Sequence, residues 1–379
     1  MARFTYDTFS TLGPNKRLDE AHWDYIVVDE ASMIRAADIV YLLHKAKPAK
    51  GFVIAGDPFQ IEPIVKCEQW VDENIYTLVG LNKEDAFSNP QTVPHKYKIA
   101  NLATQYRSVP AIGEVFSKFA YGGKLSHFRA AASLRPLTLD GFPVNPLKPL
   151  NIVKFPVLHY ESIYRSKKLG SGSNYQPYSA LFTFEFVKFI ALQIEKRNGD
   201  GNTNGWRIGI IAPYRAQASL IDKLVGAWRG KPACVEIQTG TIHGFQGDEC
   251  DIVLAVFNPP PNISKDTKDT RMFLHKRNIL NVAISRARDY LFMLMPDNST
   301  VDVGNLRKIK RIEHIFTDTG ECVEFATKAI EETLFDNANY LEENTFATTH
   351  QLANVYGRPE KRYEVRSDEN AVDVQISAE

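Results

Sequence analysis

The chain has 379 residues, 44% hydrophobic and 24% charged, proportions that exclude a disordered or fibrous class and, at about 150 residues per domain, leave room for about two domains and an appendage. Its 45 basic residues balance its 45 acidic ones, so no net positive field announces a nucleic-acid binder and any such site has to be local. The four cysteines, Cys67, Cys234, Cys250 and Cys322, are too far apart for a metal or redox pair, and neither an apolar run of membrane-spanning length nor a signal-peptide layout opens the chain, so a cytoplasmic protein with free thiols and no membrane partner is expected.

In chain order, the first short apolar run is Tyr25 to Val28, which stops abruptly at Asp29-Glu30. A second, Phe52 to Ala55, leads into Gly56-Asp57-Pro58-Phe59-Gln60. Polar, proline-bearing Ser88 to Lys96 reads as a linker, which puts a boundary near residue 97. Beyond it, Ile208 to Ala212, Val235 to Gln238, Ile252 to Phe257 and Tyr290 to Met295 have the length and apolar content of buried parallel strands. Between them, Ala216 to Trp228 sets Leu220, Ile221, Leu224 and Val225 on one helical face, and Phe273 to Arg288 does the same with Leu274, Ile279, Leu280, Val282 and Ala283. Pro259-Pro260-Pro261 and the charged residues up to Arg271 read as an exposed loop. Strands alternating with helices predict an α/β fold with a mostly parallel, helix-covered sheet. After residue 300, a short helix over Glu324 to Phe335 and a hairpin joining Arg362 to Arg366 with Val372 to Ile376 make a small α+β tail without recognisable chemistry.

Two carboxylates at the end of an apolar strand suit nucleotide hydrolysis, in which the first, Asp29, holds Mg²⁺ and the second, Glu30, orients the attacking water. An acidic pair on an ordinary strand end fits this stretch equally well. Gln60, at the carboxyl edge of the next strand, is placed to sense a phosphate or that water, since ligands of open α/β sheets sit at strand carboxyl ends; a plain turn at Gly-Asp-Pro is the other reading.

Four further segments follow: Gln105-Tyr106-Arg107; Ile208 to Gln217, containing Pro213-Tyr214; Thr239 to Asp251, containing Gly-Phe-Gln-Gly-Asp-Glu; and Asn281 to Arg288, containing Ser-Arg-Ala-Arg. Together with Asp-Glu-Ala-Ser and Gly-Asp-x-x-Gln, in this order, they resemble helicase motifs II through VI of superfamily 1. The similarity is greatest to the 5′-to-3′ branch that includes the nonsense-mediated-decay helicase and its DNA-acting relatives. The resemblance implies tandem RecA-like domains of the P-loop NTPase fold at residues 1–97 and 98–300, followed by an extension at 301–379. ATP and Mg²⁺ are the implied cofactors, and single-stranded DNA or RNA the implied partner. It further implies Asp29 as the Mg²⁺ ligand, Glu30 as the residue that polarises water, Gln60 on the γ-phosphate, and Tyr106 stacked on adenine. Arg107 and Arg286 are the implied arginine fingers from the second domain, and Gly247 and Glu249 contact ribose and phosphates. Pro213, Tyr214, Thr241 and His243 are the implied strand contacts. Arg288 is expected to be a surface or structural residue, and Arg307 to Arg311 either added phosphate contacts or a solvated helix face.

One motif of such a motor does not occur in these 379 residues: Gly-x-x-x-x-Gly-Lys-Ser/Thr, whose amides and lysine cradle the β- and γ-phosphates. The nearest look-alike, Gly226 to Pro232, is one residue short and has proline where the hydroxyl belongs. Thr5 to Gly13 resembles the short segment that precedes the Asp-Glu strand in the family. The first domain is therefore expected to lack its amino-terminal P-loop part and the chain to turn over little ATP by itself. That leaves a truncated motor, a split motor whose partner chain supplies the P-loop half, or a non-catalytic nucleic-acid binder or scaffold derived from a helicase.

Overall fold

The computed structural model describes residues 22–63, 65, 73–83, 98–155, 167–168, 173–198, 205–245, 247–257, 273–297, 306–347, 353–357, 361–367 and 372–376. Thr5 to Gly13, Cys67, the linker Ser88 to Lys96, Gln246, the loop from Pro259 to Arg271 and the turn residues Asp368 to Asn370 lie outside this set. Contacts divide the chain into two compact units, Met1–Ala100 and Asn101–Glu379.

In the first unit, β1 (Tyr25–Val28) pairs in parallel with β2 (Gly51–Ile54), in register from Tyr25 with Gly51 to Val28 with Ile54. Between them runs α1 (Ala36–Ala46). Its first turn is acidic at Asp38, which Arg35 binds at 2.7 Å, and its last turn carries His44 and Lys45, so both ends match the helix dipole. Ile39 and Leu42 of α1 pack with Val28, Ala31 and Tyr76 in one small core. The side chain of Asn74 caps α2 (Ile75–Leu78) by accepting from the Tyr76 and Thr77 amides, and this seats Tyr76 in that core. Parallel pairing makes both strands end on the same side. The ladder continues past them through Ala55 N to Val28 O at 2.8 Å and Ala31 N to Ala55 O at 3.1 Å.

The second unit is built on a six-stranded sheet. Its elements are α3 (Pro110–Ala120), β3 (Leu150–Phe155), α4 (Pro177–Asn198), β4 (Trp206–Ala212), α5 (Arg215–Ala227), β5 (Val235–Thr241), β6 (Cys250–Val256), α6 (Arg277–Ile284), β7 (Ala287–Pro296), α7 (Arg307–Asp318), β8 (Cys322–Ala326) and α8 (Thr327–Phe335). The strand order is β8-β3-β7-β6-β4-β5 and every pairing is parallel. Ile208, Ile210, Ile252, Leu254, Phe292 and Leu294 share one core with Phe182, Phe186 and Ile190 of α4 and Leu220, Ile221 and Leu224 of α5. The residues alternating with them, Val253, Ala255, Leu291 and Met293, are equally buried because α3 and α6 pack on β7 and β6. Burial on both faces is what turns these strands into continuous apolar runs.

Three elements depart from expectation. β3 lies inside the sheet although Asn151 and Lys154 interrupt its apolar run; both are buried, Asn151 donating to the Lys148 carbonyl and Lys154 paired with Glu313. The helix expected over Phe273 to Arg288 is only α6, preceded by a 3-10 turn at Phe273–His275, because β7 takes over at Ala287. The helix expected from Glu324 begins at Thr327, since β8 pairs with β3 and so extends the sheet beyond residue 300. A separate antiparallel sheet follows, made of β9 (Thr345–Ala347), β10 (Ala353–Gly357), β11 (Lys361–Ser367) and β12 (Val372–Ile376) in that order. Among the described residues no helix is long and apolar enough to cross a membrane.

Candidate nucleotide and nucleic-acid sites

In the first unit, Asp29, Glu30, Asp57 and Gln60 follow directly on the carboxyl ends of β1 and β2. Glu30 adopts the left-handed conformation, φ 50° and ψ 38°, which costs a non-glycine residue on the order of 1–3 kcal/mol and is typical of functional turns. Gly56 (φ 136°) permits the close approach of the two strand ends: a Cβ there would lie 2.9 Å from Ala31 N and 3.0 Å from the Tyr76 hydroxyl. Asp57 accepts from Phe59 N at 2.8 Å and from Gln60 Nε2 at 3.1 Å, which holds the glutamine amide. Asp29 is exposed and accepts from Glu30 N through Oδ1 at 2.9 Å. Its carboxylate is a hard oxygen donor of the kind Mg²⁺ takes, an ion commonly held by one or two carboxylates with phosphate and water oxygens completing its shell.

In the second unit, Gln105, Tyr106, Arg107, Glu249 and Arg288 line an open cleft of about 470 Å³. Glu249 directly precedes β6 and Arg288 is the second residue of β7, so the cleft lies at the amino ends of the strands. Glu249 is gripped from both sides, by Arg107 Nε on Oε2 at 2.8 Å and by Arg288 Nη1 on Oε1 at 2.7 Å. Partial burial pushes its carboxyl pKa up, but the Arg107 hydrogen bond and the charges of Arg107 and Arg288 outweigh that and hold it below the usual range. Arg107 also donates to the Ser285 carbonyl at 2.9 Å. The loop carrying Tyr106 and Arg107 is stapled at both ends. Gln105 exchanges hydrogen bonds with the Ser108 backbone, Ser108 Oγ donates to Ala287 O at 2.6 Å, and Val109 N donates to Arg288 O at 2.9 Å.

Arg286 is placed elsewhere. It is 2% exposed, and its guanidinium folds back on the last turn of α6 at Val282 O (3.2 Å) and on Asp248 O (3.3 Å). The cleft wall therefore carries Arg288, which the sequence leaves as a surface or structural residue. Gly247 has φ 90°, a conformation that side-chain-bearing residues rarely adopt, in the turn leading into Glu249. Two further residues at the cleft, Phe128 and Arg129, carry no motif. Arg129 donates to the carbonyls of Arg107 and Arg288 and to the Asp289 carboxylate.

At the opposite, carboxyl end of the same sheet, β4 and β5 finish side by side with Ala212 paired to Thr241, which brings the strand-contact candidates together. Pro213 is buried and so presents no surface. Thr241 uses its hydroxyl to accept from Gly244 N at 3.3 Å. Tyr214 and His243 are half-buried; burial pushes the Tyr214 hydroxyl pKa up to about 12, and burial followed by the Lys276 charge lowers that of His243. Exposed Arg215, at the start of α5, joins them.

A helix-covered parallel sheet with a cation-and-carboxylate cleft at one end and polar aromatic residues at the other is the frame of an α/β domain of the RecA-like kind. The chain belongs to the AAA-domain family of superfamily 1 helicases: the family's AAA domain matches residues 85–297, more than half of the chain. It is similar to Helicase sen1 of Schizosaccharomyces pombe, 26% identical over 288 residues that cover 75% of this chain and 15% of that protein. The DNA polymerase alpha-associated DNA helicase A of Saccharomyces cerevisiae is 26% identical over 297 residues, covering 76% and 39%. DNA-binding protein SMUBP-2 of Rattus norvegicus is 27% identical over 320 residues, covering 82% and 28%. The chain thus spans well under half the length of these relatives.

Proposed function

We propose that the chain carries the catalytic and track-binding groups of an ATP-driven superfamily 1 translocase moving 5′ to 3′ on single-stranded DNA or RNA, organised as tandem RecA-like domains. The observation that carries this reading is the cleft in which Arg107 and Arg288 share Glu249 beside exposed Tyr106. A polyphosphate competes well with one carboxylate for two guanidiniums, because arginine binds either in a bidentate fork. Once released, Glu249 can accept from ribose hydroxyls, and the flat ring of Tyr106 can take the base. In the first unit, by family resemblance, Asp29 would hold Mg²⁺, which neutralises phosphate charge, while Glu30 would orient water and Gln60 contact the γ-phosphate. Arg286 is poised to fix the Asp248 to Glu249 turn, and reaches phosphate only after leaving its buried position. Tyr214, His243 and Arg215 serve the nucleic acid.

Phosphoryl transfer also requires a preorganised cradle for the β- and γ-phosphates, and these 379 residues contain none. They are expected to hydrolyse ATP only when a P-loop-bearing segment is added in cis or in trans. The alternative reading is a non-catalytic nucleic-acid binder or scaffold built from the same fold. Nucleic-acid-stimulated ATP hydrolysis by residues 1–379, with and without a separately made P-loop half, separates them. Activity restored by the added half and abolished by Glu30→Gln supports the motor; silence in both conditions, with single strands still bound, supports the binder.

A further inference from the structure

Phe128 belongs to no motif, yet it is 70% exposed next to Tyr106, itself 63% exposed. Their ring centroids are 4.6 Å apart with planes inclined at 36°. Backbone register enforces the pairing. Thr104–Gln105 and Ser126–His127 form a short parallel ladder, and Phe128 N donates to Gln105 O at 2.9 Å. The following residue, Arg129, then locks the segment to the carbonyls of Arg107 and Arg288 at 3.0 and 3.1 Å.

A base slotted between two rings needs about 3.5 Å on each side, or roughly 7 Å in all. At 4.6 Å there is no such slot; Phe128 leans against Tyr106 at a tilt, and Tyr106 keeps 63% of its surface exposed. We propose that Phe128 is a positioning residue for nucleobase recognition, backing the Tyr106 ring so that its opposite face meets the base of a nucleotide held by Arg107, Glu249 and Arg288. The inference rests on the nucleotide reading of the cleft. Its physical basis is preorganisation: an exposed tyrosine already braced by a neighbouring ring loses less rotamer freedom when a base arrives. With 70% of its surface in water, Phe128 contributes little to the fold, so its removal is a clean perturbation.

The test is NMR titration of residues 1–379 with ATP and with ribose 5-triphosphate, which keeps sugar and phosphates but has no base. Phe128→Ala is expected to weaken ATP by about threefold to tenfold, the range of a single aromatic pair, to leave ribose 5-triphosphate unchanged, and to reduce the upfield ring-current shift of the adenine H2 and H8 protons. Phe128→Tyr should restore the ATP affinity and the ring-current shift, and Phe128→Leu, which keeps bulk without a π face, should not. If Phe128→Ala leaves ATP binding intact while Tyr106→Ala weakens it, the nucleotide cleft stands and the role of Phe128 is refuted. Equal weakening of both ligands refutes it as well, since the damage is then to the cleft and not to base placement. If the unmodified chain binds neither ligand, the nucleotide reading fails and takes this inference with it.

Discussion

Replacing Arg129 with leucine tests whether one guanidinium organises the cleft. Its side chain is 15% exposed and that of its partner Asp289 is 5% exposed, with the two bonded at 2.6 Å. The same guanidinium donates to Arg107 O, Arg288 O and Ser133 O at 3.0, 3.1 and 2.9 Å. Removing one partner of a buried pair strands the other, at about 3–5 kcal/mol. The sign of its pH dependence follows from Asp289. Burial raises its carboxyl pKa by more than Arg129 lowers it, so the native state holds its proton to higher pH than the unfolded chain does. The group therefore costs stability progressively as pH climbs from the unfolded value, near 3.9, through the native one. Without Arg129 the native value rises further and the window extends upward. Arg129→Leu should accordingly destabilise the second unit more at pH 7 than at pH 5, because the stranded carboxylate charge weighs less toward acid. Urea unfolding followed by far-UV circular dichroism at both pH values measures this. Arg129→Leu combined with Asp289→Leu should recover part of the loss and so yield the coupling between them. A loss under about 1 kcal/mol at both pH values, or one that grows toward acid, would refute the reasoning.

Tyr76→Phe should raise the stability of the first unit by about 1 kcal/mol, because the hydroxyl is buried with no hydrogen-bond partner among the described residues and an unsatisfied buried group costs about 1–3 kcal/mol. Thermal melting checks this, and a lowered midpoint would mean that the hydroxyl is engaged after all. Alkylation reports on the thiols. Burial pushes the pKa values of Cys250 and Cys322 up to about 12, so iodoacetamide at pH 8, which reacts with thiolate, should spare both in the native protein and modify both in urea. Peptide mapping that shows Cys250 labelled natively at the unfolded rate would contradict the packing around β6.

Local signals carried most of the sheet. Tyr25 to Val28, Ile208 to Ala212 and Ile252 to Phe257 announce themselves because strands covered on both faces must be apolar at every position. The same rule hid others. β3 escaped because Asn151 and Lys154 interrupt its apolar run, and the partner that lets Lys154 be buried, Glu313 of α7, lies far away in sequence. The long helix α4 escaped because its many buried residues face neighbours on more than one side, which erases the amphipathic period. The end of α6 was hidden because Ala287 and its followers suit a helix locally and become a strand only by pairing with β6 and β3.

For the site, the sequence alone offered the candidates Asp29, Glu30, Gln60, Tyr106, Arg107 and Glu249, through a motif order that resembles the helicase family. Tertiary structure decided which of them share a surface. It turned Arg286 inward onto Asp248 and placed Arg288 on the cleft, buried Pro213, and brought Phe128 and Arg129 against the Tyr106 loop. Such choices depend on strand register and on which carbonyls are left to be satisfied once distant segments meet. No local stretch of sequence contains that information.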